Sequence, residues 1–545
     1  MSAEESSQRR LLEPGTSSTY GSIETPSTTQ DETRSSRGAM SFLPSKATKR
    51  LAALSLFCGL GSFLWGYNIG ILATIYVNPG FIKALHNVKP ASKWAAQKGL
   101  ITAIYYLGTW LGYVFISGPI NDRLGRRYAA LTGAAVTCIG AAVMTGAGGH
   151  TAYAMMIIGR IISGLGNSMI STSVPLYQSE IAPAKKRGAL VVMNHIGMVS
   201  GLAVAFWAGY GFSHWTTKTG IHEGWRTSVA LQFIPALIFM IGLPFLPETP
   251  RWLLEQGRTE DARKSLAYLR ACEDNPAGIE EEFSEIRDYI EMEKSVKQVA
   301  WFELFTNKYL FGRLWRGALL QFMAQMCGAT AIKYYLPTVF LALGLSKDMS
   351  LMAGGIESTL KIGLTIMEML IIDKIGRRNS LLIGAVVMSV AMVVNGALPL
   401  AYPNNKNHAS DYACIVFIFF FSFGYSVGFG PNAWVYGTEI FPTQIRAKGV
   451  SICASAGAIG SIVVGQFFPV AINNIGSKTY FIFFAINMAC VALLAAFYPE
   501  TKGKTLEEMD HIFGKTRPSL EDDEAHSHDH DDHVADESVV HQSKL

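Results

Sequence analysis

Long apolar runs alternate along this chain with short charged turns, and that alternation predicts helices. The runs fall near residues 51–76, 99–120, 128–148, 153–174, 188–212, 226–246, 312–342, 351–372, 380–400, 412–437, 448–472 and 479–498. Each is about 20 residues or more, the length an α-helix needs to cross ~30 Å of hydrocarbon. The expected fold class is an all-α membrane protein with twelve transmembrane helices in two six-helix halves, 51–246 and 312–498.

One of the charged turns occurs twice. Gly118-Pro119-Ile120-Asn121-Asp122-Arg123-Leu124-Gly125-Arg126-Arg127 returns about half a chain later as Ile372-Asp373-Lys374-Ile375-Gly376-Arg377-Arg378. A turn between two buried helices gains from glycine's freedom and from arginines whose charged ends stay in water. Its recurrence implies an internal duplication, and two homologous halves around one central site is a common plan for secondary transporters. Between the halves, 247–311 is charged and helical in pattern, a cytoplasmic linker with short helices whose length lets the halves move. Residues 1–50 are rich in Ser, Thr, Glu and Arg and are expected to be a disordered cytoplasmic tail. Residues 499–545 form a second, acidic and His-rich tail.

An even number of spans puts both termini on one side. Arg123, Arg126, Arg127, Lys185, Lys186, Arg187, Lys374, Arg377, Arg378, Arg446 and Lys448 crowd the loops after spans 2, 4, 8 and 10. That bias places those loops and both termini in the cytoplasm, with Lys83, Lys89, Lys93 and Lys98 after span 1 as opposing evidence.

Composition agrees with the pattern: of 545 residues, 49% are hydrophobic and 16% charged. The net charge of +4 implies no nucleic-acid partner, because the basic residues sit at helix ends and not on one face. The 7 cysteines show no CxxC spacing and read as small core residues. No metal site, cofactor or enzymatic constellation is expected. The histidines His526, His528, His530 and His533 read as part of an acidic tail more readily than as a chelate. The last three residues, Ser543-Lys544-Leu545, spell a peroxisomal address, set against the plasma membrane as the default location.

The chain resembles the sugar porter family of the major facilitator superfamily, of fungal type, over residues 51–510. The motifs that carry the resemblance are Gly66-Tyr67-Asn68-Ile69-Gly70, the two charged turns, Gly159-Arg160, Pro175 through Pro183 to Arg187-Gly188, and Pro247-Glu248-Thr249-Pro250-Arg251. In the second half they are Gly328 with Tyr334-Tyr335, Gly430-Pro431 through Trp434 to Glu439, Arg446, and Pro499-Glu500-Thr501-Lys502-Gly503. The resemblance implies alternating access. It also implies cytoplasmic ion-pair networks formed by Asp122, Arg127, Glu180 and Arg187 and by Asp373, Arg378, Glu439 and Arg446, holding the halves together when the site opens outward. Gly430-Pro431 is expected to bend or unwind span 10 near the site.

The same resemblance implies a sugar cage, of which Gln321, Gln325 and Trp434 remain. His195, Thr330 and Lys361 stand where the family usually has amides, and Gly457 and Ala458 replace larger side chains. Charge has entered instead: Lys333 and Lys361 lie inside apolar runs, with Glu357 four residues before Lys361 and Glu368 seven after. Asn68 takes the place of an aspartate found in proton-coupled relatives, which favours facilitated diffusion, with His195, Glu357 and Glu368 as other titratable groups. The leading expectation is a facilitative transporter of a sugar or sugar-like solute, working in the lipid bilayer as a monomer. An organic-anion or sugar-acid transporter, with or without proton coupling, is the first alternative, and a non-transporting nutrient sensor the second.

Overall fold

The computed structural model describes residues 46–85, 91–182, 187–270, 276–295, 302–403, 407–442, 445–502, 504, 509 and 512–513. Residues 1–45, Lys89, Lys185, Lys186, the histidine-bearing tail and Ser543-Lys544-Leu545 lie outside the described residues, as do the side chains of Arg187 and Asp373.

Every regular element among the described residues is helical. The first set comprises α1 (Lys46–Ile75), α2 (Pro79–Ala84), α3 (Ala91–Leu111), α4 (Ser117–Leu124), α5 (Arg126–Thr145), α6 (Ala152–Ile181), α7 (Arg187–Ser213), α8 (Lys218–Ala230) and α9 (Phe233–Gly242). A π turn over Gly112–Ile116 joins α3 to α4. The linker folds as α10 (Pro250–Glu255), α11 (Thr259–Arg270), α12 (Pro276–Ser295) and α13 (Glu303–Thr306). The second set comprises α14 (Lys308–Met326), α15 (Ala329–Ala342), α16 (Lys347–Ile375), α17 (Arg377–Ala401), α18 (His408–Gly428), α19 (Gly430–Glu439), α20 (Arg446–Ile475) and α21 (Thr479–Phe497).

The chain is an all-α, multi-span membrane protein. Among the described residues, 9 stretches are long and apolar enough to cross a membrane. The last, Lys448–Phe497, contains both α20 and α21, which part at Gly476 with φ +58°. α14, α15 and α16 are not in that group: α15 has only 14 residues, and polar side chains interrupt the apolar runs of α14–α15 and of α16. The interrupting residues include Gln321, Gln325 and Lys333 in the first and Glu357, Lys361 and Glu368 in the second. These more polar helices thus carry most of the candidate cavity chemistry, as expected if ionisable groups in a span face a cavity or a partner.

Two helices break inside apolar runs. Gly328, at φ +107°, separates α14 from α15, a conformation that a side chain would strain. Span 10 breaks at Phe429, where Gly430-Pro431 opens α19.

Small residues set the close helix pairs. A β-carbon at Gly66 on α1 would lie 1.8 Å from Met198 O on α7, so those backbones touch. In the second set, a β-carbon at Gly384 on α17 would lie 2.5 Å from Gly428 Cα on α18.

The linker docks on the face of the first set that bears the charged turns. Trp252, Leu254, Leu266 and Phe283 belong to a small apolar cluster of its own. Trp252 Nε1 donates to Asp122 O at 2.9 Å, and Arg270 Nη1 donates to Ile181 O at 2.9 Å.

On the opposite face the two sets meet directly. The rings of Tyr76 and Tyr335 stack at 5.7 Å, and Tyr335 Oη bonds Thr102 Oγ1 at 2.8 Å and Gly465 O at 2.9 Å. Trp207 Nε1 donates to Thr359 Oγ1 at 2.9 Å.

Candidate functional site

The two charged turns fold into matching structures. Gly125 and Gly376 have φ +86° and +95°, and each precedes a helix that opens with two arginines. The first arginine of each pair grips an acid: Arg126 Nη2 lies 2.9 Å from Glu180 Oε1, and Arg377 Nη2 lies 2.9 Å from Glu439 Oε1. The second arginine does not. Arg127 Nη1 donates to Pro244 O at 3.2 Å and also to Leu246 O, while Arg378 Nη2 donates to Ala495 O at 2.6 Å. The expected ion-pairing arginines, Arg127 and Arg378, therefore bind helix-end carbonyls, and their neighbours make the ion pairs.

Both pairs also lie within one helix set, not across the two. Arg126 reaches further, to Glu255 Oε2 of the linker at 3.6 Å, and Thr501 Oγ1 donates to Glu439 Oε2 at 2.6 Å. The Asp122 side chain is exposed and contributes its backbone carbonyl. Arg446 Nη2 donates to Phe441 O at 3.3 Å.

Sequence reasoning missed the acids that seat these turns. Glu248 accepts from the Arg127 amide at 3.2 Å and the Thr249 amide at 3.0 Å. Glu500 accepts from Arg377 at 2.8 Å, Arg378 at 3.1 Å and Thr501 at 3.0 Å. The signal was present in the two Pro-Glu-Thr triplets, 247–249 and 499–501. Burial pushes the Glu248 carboxyl above its ordinary value, against the pull of those amides and of Arg127 and Arg126. Burial likewise raises Glu255, with Arg126 opposing. A cavity of about 450 Å³ lies here beside Arg127, Glu248, Trp252 and Lys264, under the turn and not between the helix sets.

Deeper in the bundle, Arg160 is 1% exposed. It donates through Nη1 to Asn68 Oδ1, through Nε to Ile101 O at 3.3 Å and through Nη2 to Tyr334 Oη at 3.4 Å, with Tyr105 facing its guanidinium at 4.1 Å. Asn68 Nδ2 in turn donates to Gln232 Oε1 at 3.2 Å. Among the described residues Arg160 makes no salt bridge. Its charge is held by carbonyls and rings where an aspartate at 68 would have neutralised it. Arg160 is a further residue absent from the expected site, although its Gly-Arg motif was visible.

A second cavity lies between α7 of the first set and α15, α16, α18 and α19 of the second. His195, Lys333, Lys361, Thr365, Tyr425 and Gly430 line it, and at about 20 Å³ it has room for roughly one water. Lys361 Nζ lies 2.6 Å from Glu357 Oε1, and Glu357 also accepts from Ser422 Oγ. Glu357, not Glu368, is thus the partner of Lys361. Lys333 Nζ meets Tyr425 Oη at 3.3 Å and lies 4.8 Å from the Tyr425 ring centroid. Among the described residues it meets no carboxylate.

The remaining expected contacts are not among the residues that line this cavity. Gln321 Nε2 donates to Ala433 O at 3.4 Å, and Thr330 Oγ1 donates to Gln325 Oε1 at 2.9 Å. A β-carbon at Gly457 would lie 3.4 Å from Gln321 O, so α20 closes on α14 where a larger residue would stand. Trp434 is half-buried on α19. No cluster of His, Cys, Asp and Glu able to hold a metal occurs among the described residues.

A family profile described as "Sugar (and other) transporter" matches residues 54–513. The chain is 31% identical to the MFS-type transporter criB of Aspergillus cristatus, over 84% of this chain and 92% of that protein. It is also 31% identical to a probable quinate permease of Aspergillus niger, over 86% of this chain and 88% of that protein. Among solved structures it is similar to the E. coli xylose transporter XylE in a partially occluded inward open conformation, at TM-score 0.71 and 24% identity, covering 84% of this chain and 100% of that one. The proton:xylose symporter XylE bound to 6-bromo-6-deoxy-D-glucose matches at TM-score 0.71 and 25% identity, covering 85% of this chain and 99% of that one. Matching turns, a central cavity between two helix sets and these likenesses lead to one conclusion: the chain belongs to the sugar porter family of the major facilitator superfamily, and is a transporter, not an enzyme, that carries a sugar-like solute across a membrane by alternating access.

Proposed function

We infer that the cargo is a sugar-like solute bearing a carboxylate, a sugar acid or ring polyol acid, and that Lys333 receives that carboxylate. The observation that carries this reading is the division of charge in the cavity. Glu357 neutralises Lys361 at 2.6 Å, while among the described residues Lys333 is contacted by the phenol and ring of Tyr425 and by no carboxylate. A buried ammonium without a counter-ion is costly, and a cargo anion removes the cost. The probable quinate permeases at 30–31% identity support the same class, since quinate is a ring polyol with one carboxylate. His195, Gln321, Gln325, Thr330 and Trp434 surround the cargo, Lys361 borders it through its pair with Glu357, and Asn68 steadies Arg160 behind it.

The twelve-span plan, with six crossings in each half, supports the cycle. The charged-turn face is cytoplasmic, by the bias of its arginines and lysines. With Tyr76, Thr102, Tyr335, Trp207 and Thr359 closing the opposite face, the conformation faces the cytoplasm. The ion pairs of Glu180 and Glu439 brace each half and its flanking segments as rigid bodies during the swing. The protein works as a monomer in the plasma membrane, with the peroxisomal membrane as the alternative raised by Ser543-Lys544-Leu545.

Uptake by proteoliposomes tests the cargo with radiolabelled quinate, gluconate, glucose and xylose. Saturable uptake of an acid, with KM raised by Lys333→Gln, is expected. Saturable glucose or xylose uptake unaffected by Lys333→Gln overturns the carboxylate reading.

A further inference from the structure

Asn68 cannot carry a proton, and by itself it favours facilitated diffusion. The structure holds another acid beside the cavity. Glu368 on α16 lies one helical turn beyond Thr365, which lines the cavity, toward the charged-turn face. It is 2% exposed, and among the described residues neither side-chain oxygen meets a hydrogen-bond donor within bonding geometry. A β-carbon added at Gly430, itself in the cavity wall, would lie 3.3 Å from Glu368 Oε2 and 3.9 Å from His195 Nε2. Gly430, which carries no side chain, thus brings this acid close to the cavity wall.

The groups around Glu368 do not replace a counter-ion. On its own helix, Lys361 lies two turns away and is already bound to Glu357. From α19 the backbone N–H of Asn432 faces it. Tyr425, whose hydroxyl Lys333 contacts, neighbours it from α18, and His195 approaches from α7 near Gly430. Asn432 also leads away from the cavity: its Nδ2 donates to Arg377 O at 2.9 Å, next to the ion pair with Glu439, and its buried Oδ1 has no partner. With Lys333 taken up by another anion, a carboxylate in such a site is far costlier than a carboxyl.

We propose that Glu368 carries a proton with the cargo, making this protein a proton-coupled symporter of a carboxylate-bearing solute with its proton site on α16. The proposal rests on the reading of Lys333 as the cargo-carboxylate site. In the empty carrier, ionised Glu368 and Lys333, which both neighbour Tyr425 without touching each other, balance at a distance. When a cargo carboxylate takes Lys333, two anions would face one ammonium, so Glu368 binds a proton before the loaded carrier reorients. One proton and one carboxylate cross together, with no net charge moved. Facing the cytoplasm, the cargo leaves, and the proton departs past Asn432 toward the Arg377 turn.

The test uses full-length protein in liposomes under an inward proton gradient, with the acid that wild type accepts, quinate or gluconate, and a trapped pH dye. Wild type should concentrate the acid and acidify the lumen by one proton per carboxylate. A gradient of one pH unit then supports about tenfold accumulation. Glu368→Gln should equilibrate the acid without concentrating it, while still exchanging labelled for unlabelled cargo, and Glu368→Asp should concentrate it. Accumulation by Glu368→Gln equal to wild type overturns the proposal. If Glu368→Gln does not fold, wild type decides: acid uptake that moves no protons overturns coupling and leaves the carboxylate reading standing. Uptake of neutral sugars alone overturns the carboxylate reading itself.

Discussion

Lys361 and Glu357 stand 2.6 Å apart on one face of α16, and that contact makes Lys333 the cation left for a cargo. Lys333→Gln should raise KM for an acid cargo by about 10- to 100-fold, the range for losing a hydrogen bond to a charged group of ~1.5–3 kcal/mol. Uptake kinetics check it, with kcat changing less than KM.

Lys361→Ala should act on stability first, because it strands the buried carboxylate of Glu357, at a cost of about 3–5 kcal/mol. The double substitution Glu357→Gln with Lys361→Met removes both charges and should recover most of the loss. Thermal unfolding in detergent measures both.

The arginine pairs should separate in their effects. Arg126→Ala leaves Glu180, 7% exposed, without its partner, and should destabilise by about 3–5 kcal/mol. Arg377→Ala should cost less, since Glu439 is 30% exposed and keeps the Thr501 hydroxyl. Arg127→Ala removes bonds to carbonyls, worth about 1 kcal/mol each. The order of melting temperatures should be Arg127→Ala and Arg377→Ala above Arg126→Ala.

Gly125 and Gly376 should tolerate no side chain. Their φ values of +86° and +95° are unfavourable for other residues, and a β-carbon would sit 2.6 Å from Glu248 Oε2 or Glu500 Oε2. Either Gly→Ala change should cost at least ~1–3 kcal/mol and slow transport, as read by thermal unfolding and uptake.

Rising pH should loosen the linker. Burial raises Glu248 and Glu255 above the ordinary 4.5, so the docked state holds more protons than the undocked one just above that value. Their contribution is present below the ordinary value and is lost as pH climbs through the raised ones. Hydrogen exchange over residues 250–270 should quicken across that window, and Glu248→Gln should flatten the dependence.

The sequence by itself determined the helical, membrane-spanning character, the duplication and the family. Apolar length and a repeated turn are local properties, written in consecutive residues around Gly125 and Gly376. Tertiary structure decided which residue of each motif acts. Arg126 and Arg127 differ in direction by about 100° on a helix, so neighbours with the same chemistry meet different surroundings, an acid for one and carbonyls for the other. Glu357 and Glu368 both lie near the helix face of Lys361, and spacing alone could not choose between them. The packing of α18 and α19 chose: the Ser422 hydroxyl joins Glu357, while Gly430 faces Glu368 and supplies no donor side chain. Burial and partnership depend on what arrives from elsewhere in the chain, and those two quantities separate a structural ion pair from an acid free to take a proton.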